Sequence, residues 1–270
     1  MTDLRAIAEA AARAGGAALR TYEGAYGDVR TKSTSIDLVT AADLASGAAT
    51  VAAIAERLED ARFVVEEPEV YDLVGVTPGA LTDGEVWVID PLDGTTSFVH
   101  DYPCWSVSVA CLRGGHPVAG AVYNVPADEL TSAAAGQGAA RNGTRLSCTN
   151  TPSLHESLLI TGFPYDRGSL LDRQLEVLRT FLKHPVHAIR RDGSAAIDCC
   201  HVAAGRADGF WEFGLKPWDM AAGVVILTES GAAVTGIDGE PWSAGSTGVI
   251  AANPTLHAAL VEIVTGAARA

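Results

Sequence analysis

The chain has 270 residues, 48% of them hydrophobic, and its 19 Lys+Arg against 33 Asp+Glu give a net charge of −14. That length suits one large domain or two small lobes, and the apolar fraction excludes a disordered chain. The charge argues against direct nucleic-acid binding and against an anionic membrane, because no surplus of Lys and Arg can displace counterions. A phosphate ester stays open to an acidic chain that recruits divalent cations. No apolar run reaches the roughly 18 residues of a membrane-spanning helix. The Ala-rich start carries Asp3, Arg5, Glu9 and Arg13, which marks an amphipathic helix rather than a leader peptide. The five cysteines Cys104, Cys111, Cys148, Cys199 and Cys200 show no CxxC or Cys/His zinc spacing. They read as reduced thiols in a cytoplasmic protein.

In chain order, apolar periodicity predicts helices over 3–21 and 43–59. Residues 62–66 read as a short buried strand ending on two carboxylates. Pro68, Gly75, Pro78, Gly79 and Gly84 make 68–84 a loop or lid. A strand over 85–89 runs into DPLDGTTSF. Residues 105–112, 117–124 and 129–134 read as a β-meander. Strands follow at 157–161, 186–189, 208–212, 233–235 and 248–251. Helices are expected at 169–183, 193–204, from Pro217 to about 230, and over 254–265. Pro217 suits a first helical turn, where its missing N–H leaves nothing unpaired. Strands and helices in blocks predict an α+β fold in layers. We read one domain over 1–270, with an N-terminal lobe of about 1–145 and a C-terminal lobe of about 146–270.

The most informative segment is Trp87-Val88-Ile89-Asp90-Pro91-Leu92-Asp93-Gly94-Thr95-Thr96-Ser97. A buried strand delivers Asp90, Pro91 stiffens the turn, and Asp93 returns its carboxylate to the same side. Gly94 lets backbone approach a ligand. Thr95 and Thr96 fall at a helix start, where free N–H groups favour an anion. Two carboxylates three residues apart beside such a turn suit a cation bridging to a phosphate. Taken singly, Asp93-Gly94 is equally a surface turn, Glu66 and Glu67 a solvated strand end, and Asp43 and Asp219 helix caps. Together they form a set of hard oxygen donors without His or Cys, which suits Mg²⁺ rather than zinc.

The sequence resembles the inositol monophosphatase family of Mg²⁺-dependent, lithium-sensitive phosphatases. WVIDPLDGTTSF at 87–98 and WDMAAGVVILTESG at 218–231 match its two signatures. DLVTAAD (37–43), Glu66-Glu67, GSAAID (193–198) and GRADGFWEFGLKPWD (205–219) extend the likeness over nearly the whole chain. Val65 stands where the family usually has Gly, and Ser97 where Asn is common; neither removes a ligand.

The resemblance implies a layered αβαβα sugar-phosphatase fold and the following roles. Glu66, Asp90, Asp93 and the Leu92 carbonyl would hold metal. Asp219 would complete a second site, and Glu67 would support a third ion. Thr95, held by Asp43, would orient the attacking water together with Glu66. Gly94, Thr95 and Thr96 would bind phosphate. Glu212, Asp93 and the backbone at Gly193, Ser194 and Ala195 would meet substrate hydroxyls, with Asp219 beside them. Lys32 would lie on a mobile segment over the site. The cofactors implied are two to three Mg²⁺ ions, with Mn²⁺ as a substitute and Li⁺ as an inhibitor.

Implied too are a homodimer, for which the weakly charged meander at 105–124 offers an interface, and a small phosphorylated polyol as substrate. Glu212, GSAAID and TGFPYD (161–166) favour myo-inositol 1-phosphate. Histidinol phosphate, fructose 1,6-bisphosphate and 3′-phosphoadenosine 5′-phosphate are the alternatives, and a role at the transcription machinery is a non-enzymatic one. Arg190 and Arg191 read as interface or substrate-binding residues, or equally as solvated charges at a strand end.

Overall fold

The computed structural model describes residues 3–24, 29–31, 38–183 and 186–266. Lys32 lies outside them. Two sheets organise the described chain. The larger holds β3 (Phe63–Val65), β4 (Val86–Asp93), β5 (Ser106–Arg113), β6 (His116–Asn124), β7 (Glu129–Ala134), β8 (Gly138–Arg141) and β9 (Thr144–Arg145) in that order. The smaller runs β11 (Ala188–Arg190), β10 (Leu158–Thr161), β12 (Gly209–Phe213), β14 (Gly248–Ala252), β13 (Ala233–Gly236). A two-residue ladder, β1 (Arg30–Thr31) with β2 (Leu38–Val39), stands apart.

Helices α1 (Leu4–Arg20) and α2 (Ala41–Ala55) cover one face of the large sheet, packing Ile7, Ala8, Ala11, Val51 and Ile54 against Trp87, Ile89 and Val107. Helices α6 (Ala195–Ala203) and α7 (Pro217–Glu229) fill the space between the sheets. Helices α5 (Ser169–Lys183) and α8 (Pro254–Gly266) close the outer face of the small sheet over Leu159, Trp211 and Ile250. The result is five layers, αβαβα, as expected. Each buried Leu, Ile or Phe in these layers contributes roughly 1.5–3 kcal/mol.

Several expectations need correction. Residues 68–84 are not all loop: α3 spans Glu69–Val74 and stops at Gly75, whose φ of 74° only glycine adopts cheaply. Tyr71 ties it down, its hydroxyl accepting from Val65 N at 2.9 Å. α2 begins at Ala41, two residues before Asp43, because Thr40 is its N-cap and Asp43 completes a capping box. The meander continues into β8 and β9 through an Asn142-Gly143 turn, both residues at positive φ. Among the described residues, the faces of the meander's β5 and β6 are covered from within the chain and are not available to a dimer partner. β5 and β6 are interior strands, with α1 against one face and α7 against the other.

Candidate active site

Asp90 and Asp93 are three positions apart, an odd offset, so on a regular strand they would face opposite ways. β4 runs on through Pro91 to Asp93, longer than the sequence suggested, and carries a bulge. Asp90 lies opposite Ser108 and Asp93 opposite Ser106, three steps on one strand against two on the other. The extra residue turns both carboxylates to the same cavity. Pro91 has no N–H to lose there, and its carbonyl takes the Ser46 hydroxyl at 2.6 Å. Leu92 N donates to Asp90 Oδ1 at 3.0 Å.

Gly94 follows at φ 98° and caps α4 (Thr95–Val99). A Cβ at this position would lie 2.8 Å from the Cys104 carbonyl, so glycine is required on both counts. Phe98 packs edge-on against Trp105 at 4.9 Å and fixes this short helix to the start of β5. The Thr95 hydroxyl lies 3.1 Å from Asp43 Oδ1 and 3.1 Å from the Leu92 carbonyl. The other Asp43 oxygen accepts Thr40 N at 2.8 Å.

Across the cavity, Ser194 caps α6 and donates to Asp93 Oδ2 at 2.6 Å. Ala196 N donates to the same oxygen at 2.8 Å. The start of α6, expected to meet substrate, is thus turned in part toward Asp93. Asp219 sits at the first turn of α7 and accepts Lys216 N at 2.7 Å. Behind these groups, β5 supplies two buried serines. Ser106 Oγ lies 3.2 Å from Ser194 Oγ, and Ser108 donates to the Trp218 carbonyl at 3.0 Å.

The cavity between the sheets has a volume of about 90 Å³. Six carboxyl side chains line it, Glu66, Asp90, Asp93, Asp198, Glu212 and Asp219, together with Leu92, Gly94, Thr95, Gly193 and Ala195. The one cation among its lining residues is Arg191; Arg190 is exposed on the edge strand. Asp43 stands behind Thr95, Thr96 is exposed, and Glu67 is buried beside an adjoining cavity of about 400 Å³ that also reaches Thr40 and Arg30.

Burial, with crowded negative charge adding to it, raises four of these carboxyls. Burial, with the Glu66 charge adding, pushes Asp93 up to about 6 against the pull of Ser194 and Ala196. Burial and the Asp93 charge push Glu212 up to about 8, with Arg191 opposing. Asp219 rises well above the carboxylate range through burial and then the Glu66 and Asp93 charges. Asp198, 1% exposed, rises likewise through burial and then the Glu212 charge, and its Oδ1 has no hydrogen-bond partner. Among the described residues, no three of these side chains already converge with metal-site geometry; the donors stand around the cavity. Their chemistry fits a hard cation: oxygen throughout, no sulfur or imidazole, and an excess of buried charge to neutralise.

Sequence reasoning missed Ser106, Ser108, Gly162 and Asp198. The first two had a signal, polar residues at period two in an otherwise apolar strand. Gly162 and Asp198 lie inside the TGFPYD and GSAAID segments, but nothing local singled them out, since their placement depends on packing between the two sheets.

Comparison with known proteins agrees with this geometry. The profile described as "Inositol monophosphatase family" matches residues 1–268. Inositol-1-monophosphatase of Synechocystis is 39% identical over 95% of this chain and 86% of its own. Nus factor SuhB of Pasteurella multocida is 37% identical over 92% and 90%. The structure of inositol monophosphatase from Anabaena superposes with a TM-score of 0.82 at 36% identity, covering 97% of this chain and 95% of the other. A cavity ringed by carboxylates at the end of a bulged DPLDGTT strand, a layered αβαβα fold and these matches together place the chain in the inositol monophosphatase family.

Proposed function

We propose that the protein is a Mg²⁺-dependent phosphomonoesterase acting on myo-inositol 1-phosphate and related polyol monophosphates. Glu66, Asp90, Asp93, Asp219 and the Leu92 carbonyl would hold two Mg²⁺ ions, with Glu67 supporting a third; Mn²⁺ would substitute and Li⁺ would inhibit. When bound, such ions lower the pKa of water near the phosphorus and neutralise the phosphate and the leaving alkoxide. The chain supplies orientation. Asp43 holds the Thr95 hydroxyl, and Thr95 with Glu66 aims the water. Backbone N–H groups at Gly94–Thr96 take phosphate oxygens. Asp93, Glu212 and the Gly193–Ala195 turn meet the leaving group's hydroxyls. With water as the attacking group, no phospho-enzyme forms. A homodimer and a cytoplasmic setting complete this reading.

The bulge that brings Asp90 and Asp93 to one cavity, with Thr95 held 3.1 Å from Asp43, is the observation that supports it most. The test is phosphate release from inositol 1-phosphate, histidinol phosphate, fructose 1,6-bisphosphate and 3′-phosphoadenosine 5′-phosphate, with Mg²⁺, EDTA or added Li⁺. Turnover led by inositol phosphate, lost in EDTA and in Asp93→Asn, is expected. Turnover led by another ester would reassign the pocket around Glu212 and leave the metal site standing.

The relative named Nus factor SuhB supports a second reading, a contact with the transcription machinery. Co-purification with RNA polymerase or antitermination proteins that survives Asp93→Asn, with no turnover on the panel, would favour it.

A further inference from the structure

Glu212 meets Gly162 for a reason of register. β10 and β12 run parallel with Thr161 opposite Trp211, so the next pair along is Gly162 and Glu212, on one face. The strand ends are pinned there. Thr161 Oγ donates to the Trp211 carbonyl at 2.7 Å and accepts Gln174 Nε2 at 2.6 Å. A Cβ on Gly162 would lie 2.1–2.2 Å from Oε1, Oε2 and Cδ of Glu212. The carboxyl therefore rests on the bare Cα of Gly162. Burial, Asp93 and Arg191 act on it, and no hydrogen bond is among those influences. It is 9% exposed and lines the cavity. On its other side its cross-strand neighbour Val249 is fully buried.

We propose that Gly162 is a specificity-determining position. Its missing side chain seats the Glu212 carboxyl at the back of the cavity and so sets the room available to a ring-sized polyol leaving group. This rests on Glu212 as the group that meets the leaving group. The three atoms nearest a methyl at 162 all belong to the far end of a flexible side chain, which can shift before the backbone does. The displaced carboxyl has packed chain behind it and open cavity before it. It moves forward, and a cyclitol ring loses both space and a correctly placed acceptor. A three-carbon leaving group loses less.

The experiment compares kcat/KM for inositol 1-phosphate with that for glycerol 2-phosphate in the wild type, Gly162→Ala, Glu212→Ala and the double variant, with thermal unfolding of each. Gly162→Ala is expected to fold and to lower the inositol-to-glycerol ratio about tenfold, as repacking of a binding pocket does. Adding Gly162→Ala to Glu212→Ala should change the ratio less than about twofold, since the carboxyl it displaces is gone. An unchanged ratio in Gly162→Ala, while Glu212→Ala lowers it, removes Gly162 and leaves the role of Glu212 intact. Additive effects in the double variant, or an unfolded Gly162→Ala, also overturn the proposal. No change in any variant removes the role of Glu212 itself.

Discussion

Ser194 donates a 2.6 Å hydrogen bond to Asp93, joining the cap of α6 to the bulge of β4 across the gap between the two sheets. The same hydroxyl accepts Ile197 N and lies 3.2 Å from Ser106, which is fully buried. One side chain therefore caps a helix, orients a carboxylate and links the layers that form the cavity walls.

Ser194→Ala removes that orientation and leaves the Ala196 N–H on Asp93. A hydrogen bond to a charged group is worth about 1.5–3 kcal/mol, so the Mg²⁺ concentration giving half-maximal activity should rise about tenfold or more. Direct Mn²⁺ titration should show the same loss of affinity. Unchanged affinity with lower thermal stability would reduce Ser194 to a helix cap.

The layer order and most of the carboxylate set were legible in the sequence, because periodicity and the two long signatures sit on local elements. What stayed hidden was set by long-range packing. The bulge at Pro91 needs β5 beside it before it can be counted. Asp198 reads as an ordinary helix residue until α6 is packed against the cavity. The β8–β9 extension did carry a local signal, the Asn142-Gly143 pair, but the strands flanking it are too short to show a period of their own.

In the proposed reaction, Thr95 and Asp43 act on geometry more than on substrate binding. Asp43→Asn keeps the helix cap nearly isosteric but weakens the hold on the Thr95 hydroxyl. A kcat lower by about 10²-fold with KM within about threefold is expected, in the range of a misdirected proton transfer. Thr95→Ser should retain more activity than Thr95→Val. Equal rates in these two variants would remove the hydroxyl from the reaction.

Tyr71 secures the segment that follows Glu66 and Glu67. Its hydroxyl accepts Val65 N at 2.9 Å and donates to the Phe63 carbonyl at 3.3 Å. Tyr71→Phe leaves a main-chain N–H unpaired at a cost of about 1–3 kcal/mol, which lowers Tm by roughly 2–8 °C in a chain of this size. An unchanged Tm would mean that water replaces the hydroxyl and that α3 is held by packing alone.

The pH dependence of the metal-free protein follows from the raised carboxyls. Asp93 titrates at about 6 and Glu212 at about 8 in the folded chain, and Asp198 and Asp219 lie well above their ordinary range. The unfolded chain releases these protons at about pH 4. Between the two, the folded state holds more protons, so stability is full below about pH 4 and falls as pH rises through about 6 and about 8. His201 and His257, lowered by burial, oppose this weakly at the acid end. In EDTA, Tm should be lower at about pH 8.5 than at about pH 5.5. Mg²⁺ competes with the protons, so its stabilisation should be larger at the alkaline end of that range. Asp198→Asn removes one buried acid outside the proposed ligands and should flatten the EDTA profile while leaving the Mg²⁺ gain in place. A metal-free Tm that climbs with pH over the same range would mean that solvent already screens the cavity's charge.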